Sequence, residues 1–392
     1  SRPLFSDPDF VALLATTIGN AADLGMPQLA LTLTDSVTQA GAALGPDHPS
    51  TLTSRNSLAY AYQDAGRLDE AIALHEQNLE DRTRILGPHH PNTLTSRHNL
   101  AYAYRDAGRL DEAIALYEQN LEDRTRILGP DHPSTLTSRN NLAYAYRDAG
   151  RLDEAIALHE QTLEDRTRIL GPDHPSTLTS RNNLASAYRD AGRLDEAIAL
   201  HEQTLEDSTR ILGPHHPNTL TSRHNLAYAY RDAGRLDEAI ALYEQTLEDS
   251  TRILGPHHPN TLTSRNNLAY AYRDAGRLDE AIALYEQTLE DRTRILGPHH
   301  PNTLTSRHSL ASAYRDAGRL DEAIALHEQT LEDSTRILGP HHPNTLTSRN
   351  NLAYAYRDAG RLDEAIALHE QTLEDRTRIL GPHHPNTLTS RH

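Results

Sequence analysis

A block of 42 residues, NNLAYAYRDAGRLDEAIALHEQTLEDRTRILGPDHPSTLTSR, recurs eight full times between residues 49 and 384 with a handful of substitutions. A ninth copy starts at Pro385 and reaches His392. A fixed period of this size means stacked supersecondary units, none of which can bury its apolar face alone. The core therefore lies between neighbouring units. The 392 residues form one quasi-linear array, where length alone would suggest two or three globular domains.

The copy over 133–174 shows how one unit is built. Pro133 suits the first turn of a helix, where its missing N–H is no loss. Leu136, Leu142, Ala143 and Tyr146 share one helical stripe. Gly150 ends that helix, because glycine accepts a left-handed cap. Asp153 and Glu154 open the next helix, where carboxylates complement the dipole. Leu152, Ala155, Ile156 and Leu163 supply its apolar face, and Glu164 and Arg168 are spaced to pair at i,i+4. Gly171-Pro172 stops it. The unit is thus two antiparallel helices of roughly 16 and 18 residues, with Ala143 and Ala155 where the helices approach within about 8 Å. Only 37 % of residues are hydrophobic, with two Phe and no Trp, so Leu, Ala, Ile and Tyr fill thin regular layers.

NLAYAYRDAGRLDEAIALYEQTLE resembles the tetratricopeptide repeat, with Leu142, Ala143, Tyr146, Gly150, Ala155 and Leu163 at its signature positions. The usual unit has about 34 residues; the extra length here, with LGPDHP ahead of NNLA, resembles the kinesin-light-chain type, often found in bacterial signalling proteins. Arg139 stands where such units carry a large aromatic. The resemblance covers residues 47–392 and implies an all-α, right-handed superhelical solenoid whose first helices line a concave groove. Residues 1–48 read as a degenerate N-terminal capping repeat, since 24–45 align without gaps on 66–87 and Phe10, Leu13 and Leu14 would supply a first helix. Residues 49–384 are the eight repeats and 385–392 the truncated start of a ninth.

Most variation between copies falls on the first helix. One column alternates Asn and His, and another, four residues on, alternates Tyr and Ser, so both share a face. The predicted groove is lined by Asn140, Asn141, Tyr144 and Arg147 in one repeat and Asn182, Asn183 and Arg189 in the next. It continues with His224, Asn225, Tyr228 and Arg231, then Asn266, Asn267, Tyr270 and Arg273. Asn amides offer donors and acceptors together, which suits the backbone of an extended peptide. The alternative is that Asn141 and its equivalents bond the neighbouring repeat. Arg147 and Asp148 together select neither acidic nor basic ligands.

Histidine is abundant. GPHHP recurs at His89-His90, His215-His216, His257-His258, His299-His300, His341-His342 and His383-His384. Two imidazoles fall short of the three or four ligands of a closed metal site, so the His-Pro step reads as a turn and helix start. On the second helix His159 and His201 alternate with Tyr117 and Tyr243, which points to a packed, partly exposed ring. Protonating all 24 histidines would turn the formal charge from −17 to +7, so solubility or assembly is expected to change between pH 7 and 5.

Every basic residue is arginine, and each repeat carries a small acidic surplus. Such a surface does not attract nucleic acid or an anionic membrane. No apolar run reaches membrane-spanning length, and the N-terminus has no signal-peptide pattern; a cytoplasmic protein is expected. The absence of cysteine excludes disulfide and thiolate chemistry. Nucleotide-binding loops, zinc-protease motifs and nucleophile elbows are missing, and near-identical repeats offer no unique preorganised site. The expected function is a non-enzymatic scaffold without cofactor or metal that binds a protein or peptide. The alternative is a structural array that self-associates end to end.

Overall fold

Proline and glycine punctuate each block, and the chain folds accordingly. The computed structural model describes residues 4–23, 27–380 and 387, and every regular element among them is helical. The first helices of the repeats are α4 (Pro49–Asp64), α6 (Pro91–Asp106), α8 (Pro133–Asp148), α10 (Pro175–Asp190), α12 (Pro217–Asp232), α14 (Pro259–Asp274), α16 (Pro301–Asp316) and α18 (Pro343–Asp358). The second helices are α5 (Leu68–Leu86), α7 (Leu110–Leu128), α9 (Leu152–Leu170), α11 (Leu194–Leu212), α13 (Leu236–Leu254), α15 (Leu278–Leu296), α17 (Leu320–Leu338) and α19 (Leu362–Leu380). We call them helix A and helix B. They have 16 and 19 residues, against an expected 16 and 18.

Two compact units divide the chain, Ser1–Ile127 with His327–His392, and Leu128–Leu326. Within the second, α8 to α16 pack in chain order, each on the next.

The boundaries follow from local chemistry. Pro133 occupies the first turn of α8, and His132 caps it by accepting the Ser134 N–H at Nδ1, 3.1 Å away. Thr177 and Thr219 donate their hydroxyls to the carbonyls of Gly171 and Gly213, tying each helix A to the end of the preceding helix B. At the other end of α8, Gly150 has φ +73° and the Arg151 N–H returns to the Tyr146 carbonyl at 2.8 Å. Any L side chain at Gly150 would be strained in that backbone.

Small residues set the helix spacing. Ala143 and Ala155 are fully buried, and Leu136, Leu142 and Ile156 close the layer around them. Ala155→Leu is expected to cost roughly 1–3 kcal/mol through overpacking, read as a lower urea midpoint. An unchanged midpoint would mean that the contact has slack.

Polar contacts between the helices are as regular as the apolar ones. Arg139 on α8 pairs with Asp165 on α9 at 2.6 Å, with only 6 % of the arginine side chain exposed. Arg97–Asp123, Arg181–Asp207, Arg223–Asp249, Arg265–Asp291 and Arg349–Asp375 repeat the pair. Arg168 turns to Asp165 and Asp131, not to Glu164 as i,i+4 spacing suggests, because Asp165 already carries the buried pair and lies one residue closer. Between repeats, the Tyr188, Tyr230, Tyr272 and Tyr314 hydroxyls donate to Glu160, Glu202, Glu244 and Glu286 on the preceding helix B. Arg193 stacks over the Tyr188 ring at 4.2 Å, so each such tyrosine is held from two sides.

The N-terminal segment follows the same plan imperfectly. α1 (Pro8–Asp23) has the length of a helix A and packs on α4. Its buried side is formed by Val11, Leu14 and Ile18, whereas Leu13 is 61 % exposed. One residue is a 100° step around a helix, and Leu14 takes the inward position. The helix expected over 24–45 is broken into α2 (Pro27–Leu31) and α3 (Thr34–Leu44). The Thr32 and Thr34 hydroxyls take the carbonyls of Leu29 and Leu31 at 2.7 Å, the local competition by which threonine interrupts helices. Residues 24–26 and, apart from Thr387, the ninth copy over 385–392 lie outside the described residues.

Candidate functional site

Helices α8, α10, α12 and α14 carry the fifteen predicted groove residues in the unit Leu128–Leu326, each of them half-buried, and contacts from one helix A to the next join several of them into a strip. Arg147 lies over the Tyr144 ring at 5.0 Å, and Tyr228 is flanked by Arg189 at 4.5 Å and Arg231 at 4.1 Å. Arg273 approaches Tyr270 at 5.8 Å. Each arginine also reaches the aspartate that ends the next helix A. The distances are 3.7 Å for Arg147–Asp190, 3.5 Å for Arg189–Asp232, 3.4 Å for Arg231–Asp274 and 2.5 Å for Arg273–Asp316. The strip is a ladder of aromatic faces with paired, alternating charge.

The asparagine amides are partly committed. Asn183 donates to Asn140 Oδ1 at 2.9 Å, and Asn267 donates to His224 Nδ1 at 3.2 Å. Asn182 receives His201 at its carbonyl and donates to Ser222, at 3.2 and 3.1 Å. Bonding to the neighbouring repeat, the alternative raised for this column, thus occupies Asn183 and Asn267. Asn141, Asn225 and Asn266 are half-buried.

The His/Tyr column of helix B is packed but not partly exposed as expected. His159, His201, Tyr117 and Tyr243 are at most 2 % exposed. The column lies at the seam where alanines draw the helices together, and the Tyr144 ring meets His159 edge-on at 5.6 Å. Burial holds His75, His159 and His201 neutral down to about pH 4, and Arg147 and Arg189 push the last two the same way. His98 and His308 on helix A behave alike, again through burial first and neighbouring arginines second. The formal charge of +7 expected on full protonation is not reached while these five stay neutral.

The His-His loops have separate duties. The second histidine is the helix cap, as His216 is for Asn218 N–H at 3.1 Å. The first, His215, faces Arg252 and Asp249. Asp131 and Asp173 stand in the same place elsewhere and pair with Arg168 and Arg210. His383-His384 lies outside the described residues. Among the described residues there is no group of three or more metal-ligating side chains, and no helix is long and apolar enough to cross a membrane.

The sequence matches the tetratricopeptide repeat over residues 54–119, 98–167, 140–207, 178–251, 224–292, 264–333, 308–377 and 348–392. The chain belongs to the tetratricopeptide repeat family. Its fold class is accordingly the all-α solenoid of antiparallel helix pairs. It is similar to the nearly identical TPR-like repeats of a Podosopora anserina protein assigned as a kinesin light chain. That match has 38 % identity over 52 % of this chain and 97 % of the other, with a TM-score of 0.47. BtubC (BKLC) from P. vanneervenii matches at 23 % identity over 59 % of this chain and 93 % of its own, TM-score 0.50. The apo form of RapI matches at 12 % identity over 73 % and 98 %, TM-score 0.50. No curated protein matches in sequence.

Within this tetratricopeptide array the sequence reading missed the aspartates Asp190, Asp232, Asp274 and Asp316 as partners of the groove arginines. It also passed over an Arg/Ser column on helix B, although that variation is plain when copies are aligned.

Proposed function

We propose that the chain is a non-enzymatic protein-interaction scaffold that holds a peptide segment of a partner on the helix-A strip. The observation that supports this reading most is the set of half-exposed tyrosines and arginines, Tyr144–Arg147 on α8, Tyr228–Arg231 on α12 and Tyr270–Arg273 on α14, with Arg189 of α10 also over Tyr228. Tyrosine and arginine are the residue types that dominate binding hot spots, and a half-buried ring gives contact area at small entropic cost. Membership of the tetratricopeptide family favours the same conclusion. The family resemblance and the absence of a unique preorganised site both speak against catalysis.

The test is peptide display on the full chain, followed by Tyr144→Ala, Tyr228→Ala and Tyr270→Ala together. Binding of the selected peptides should weaken at least tenfold, which is about 1.4 kcal/mol, while the helical CD spectrum is retained. Unchanged affinity would move the site off this strip.

A second reading has one observation behind it. On α19, Leu362 and Ile366 are 56 % and 55 % exposed, whereas Ile72, at the matching place on α5 where α6 packs, is 4 % exposed. Such a face fits helix A of a further repeat, in this chain or in another copy. Light scattering over a wide concentration range separates the readings: a mass constant at 43.6 kDa opposes self-association, and a rising mass supports it.

A further inference from the structure

One column of helix B differs between repeats by a whole guanidinium. It is arginine at Arg82, Arg124, Arg166, Arg292 and Arg376, and serine at Ser208, Ser250 and Ser334. Three of these arginines make the same two bonds to the following helix A. Nη1 donates to a main-chain carbonyl, that of Asn92, Ser176 or Asn302, at 3.0–3.1 Å. It also donates to a hydroxyl, that of Ser96, Ser180 or Ser306, at 2.7–3.0 Å. Both acceptors are uncharged, so this seat holds a guanidinium without a carboxylate.

In repeat 5 the column is Ser250, and the seat is empty. The residues that carry the equivalent acceptors, Asn260 with its carbonyl and Ser264 with its hydroxyl, are among those that line an open cavity of about 280 Å³ between α12, α13 and α14. Its lining contains neither a carboxylate nor an arginine. Ile253 and Leu254, 41 % and 37 % exposed, form part of its wall. Repeat 4 also carries serine, yet its seat is satisfied internally: Ser222 receives the Asn182 amide at 3.1 Å and lies 3.4 Å from Ser208. In repeat 5 His224 replaces that asparagine and engages Asn267 instead. Ser264 is left with a bond to its own Asn260 carbonyl, in which it is the donor.

We propose that this cavity is a subsite for an arginine side chain of a bound polypeptide. The ligand restores from outside the contact that Arg82, Arg166 and Arg292 make from inside. A planar guanidinium spans a carbonyl and a hydroxyl at once and is weakly enough hydrated to enter a site of neutral acceptors, which an ammonium is not. Ile253 and Leu254 suit the aliphatic stem. The subsite names a ligand chemistry for the helix-A reading, because His224 and Asn267 belong to both. Its test is nevertheless independent of any peptide.

The full chain is titrated with N-acetyl-arginine amide, followed by saturation-transfer NMR, with the citrulline and lysine analogues as controls. The arginine probe should bind saturably and the two controls should not. Ser250→Arg should fill the seat, raise the melting temperature and weaken the probe at least about tenfold. Arg124→Ser, in the repeat where His98 stands at the place of His224, should create a further seat and raise the stoichiometry. Absent binding, equal binding of the citrulline probe, or full binding to Ser250→Arg would overturn the subsite. Probe binding that survives while the tyrosine variants leave peptide affinity intact would instead overturn the helix-A reading alone.

Discussion

Acidification from pH 7 to about 5 should remove roughly 2 kcal/mol of folding free energy for each of five histidines. His75, His98, His159, His201 and His308 stay neutral in the folded chain down to about pH 4, chiefly because burial disfavours the imidazolium. The unfolded chain takes up the same protons near 6.5. Protons therefore bind the unfolded state preferentially inside that window. Stability from this source is complete above 6.5, falls as the pH drops, and has no more to lose below about 4. The five are spread over both compact units, and their sum is comparable to the whole stability of a typical domain, about 5–15 kcal/mol. Carboxylates do not share the window. Burial alone would raise Asp165, Asp249 and Asp291, but hydrogen bonds from two arginines each hold them below 3.8. His159→Tyr and His201→Tyr are the informative variants, since Tyr117, Tyr243 and Tyr285 already fill that column elsewhere. Each should leave stability at pH 7 nearly unchanged and remove its share of the acid loss. Urea unfolding followed by CD at both pH values decides it; a tyrosine variant with the full acid loss would refute the assignment.

The helix pairs were legible because their punctuation is local: Pro133 and Gly150 act on the backbone of their own turn, and the copies repeat them. The helix-A strip was legible for a similar reason, since Asn140, Tyr144 and Arg147 are spaced for one face. Partners were not legible. Arg147 meets Asp190 and Asn183 meets Asn140, each 43 residues away, yet an aspartate and an asparagine also lie beside them in sequence. In a chain of near-identical copies, residue type alone cannot separate a partner within a repeat from the same residue one repeat on. Burial of His159 and His201 was hidden by their polarity: imidazoles suggest a wet face, while the neighbouring alanines bring two helices close enough to exclude water.

Arg139 is the clearest departure from the family pattern, and its pair with Asp165 makes the second large effect predictable. A charge at the place of a large aromatic is tolerable only while its counter-charge is present, because desolvating an ion costs several kcal/mol. Arg139→Ala should therefore cost about 3 kcal/mol, the lower end of the range for a broken buried pair. The reason for the lower end is on the structure: Asp165 is 19 % exposed and keeps Arg168 at 3.0 Å. Asp165→Ala should cost more, since it strands the better-buried guanidinium. In an array whose stability is a sum of repeats and interfaces, the loss falls on residues 133–174 and the helices packed against them. Faster amide exchange should appear there first. The double change Arg139→Leu with Asp165→Leu removes both charges and supplies apolar volume, so it should recover most of the loss. Urea midpoints of the singles and the double complete the cycle. If the double is no more stable than Arg139→Ala, or that single lies within about 1 kcal/mol of the parent, the pair behaves as a surface salt bridge. The reason for arginine in place of an aromatic must then be sought outside the fold.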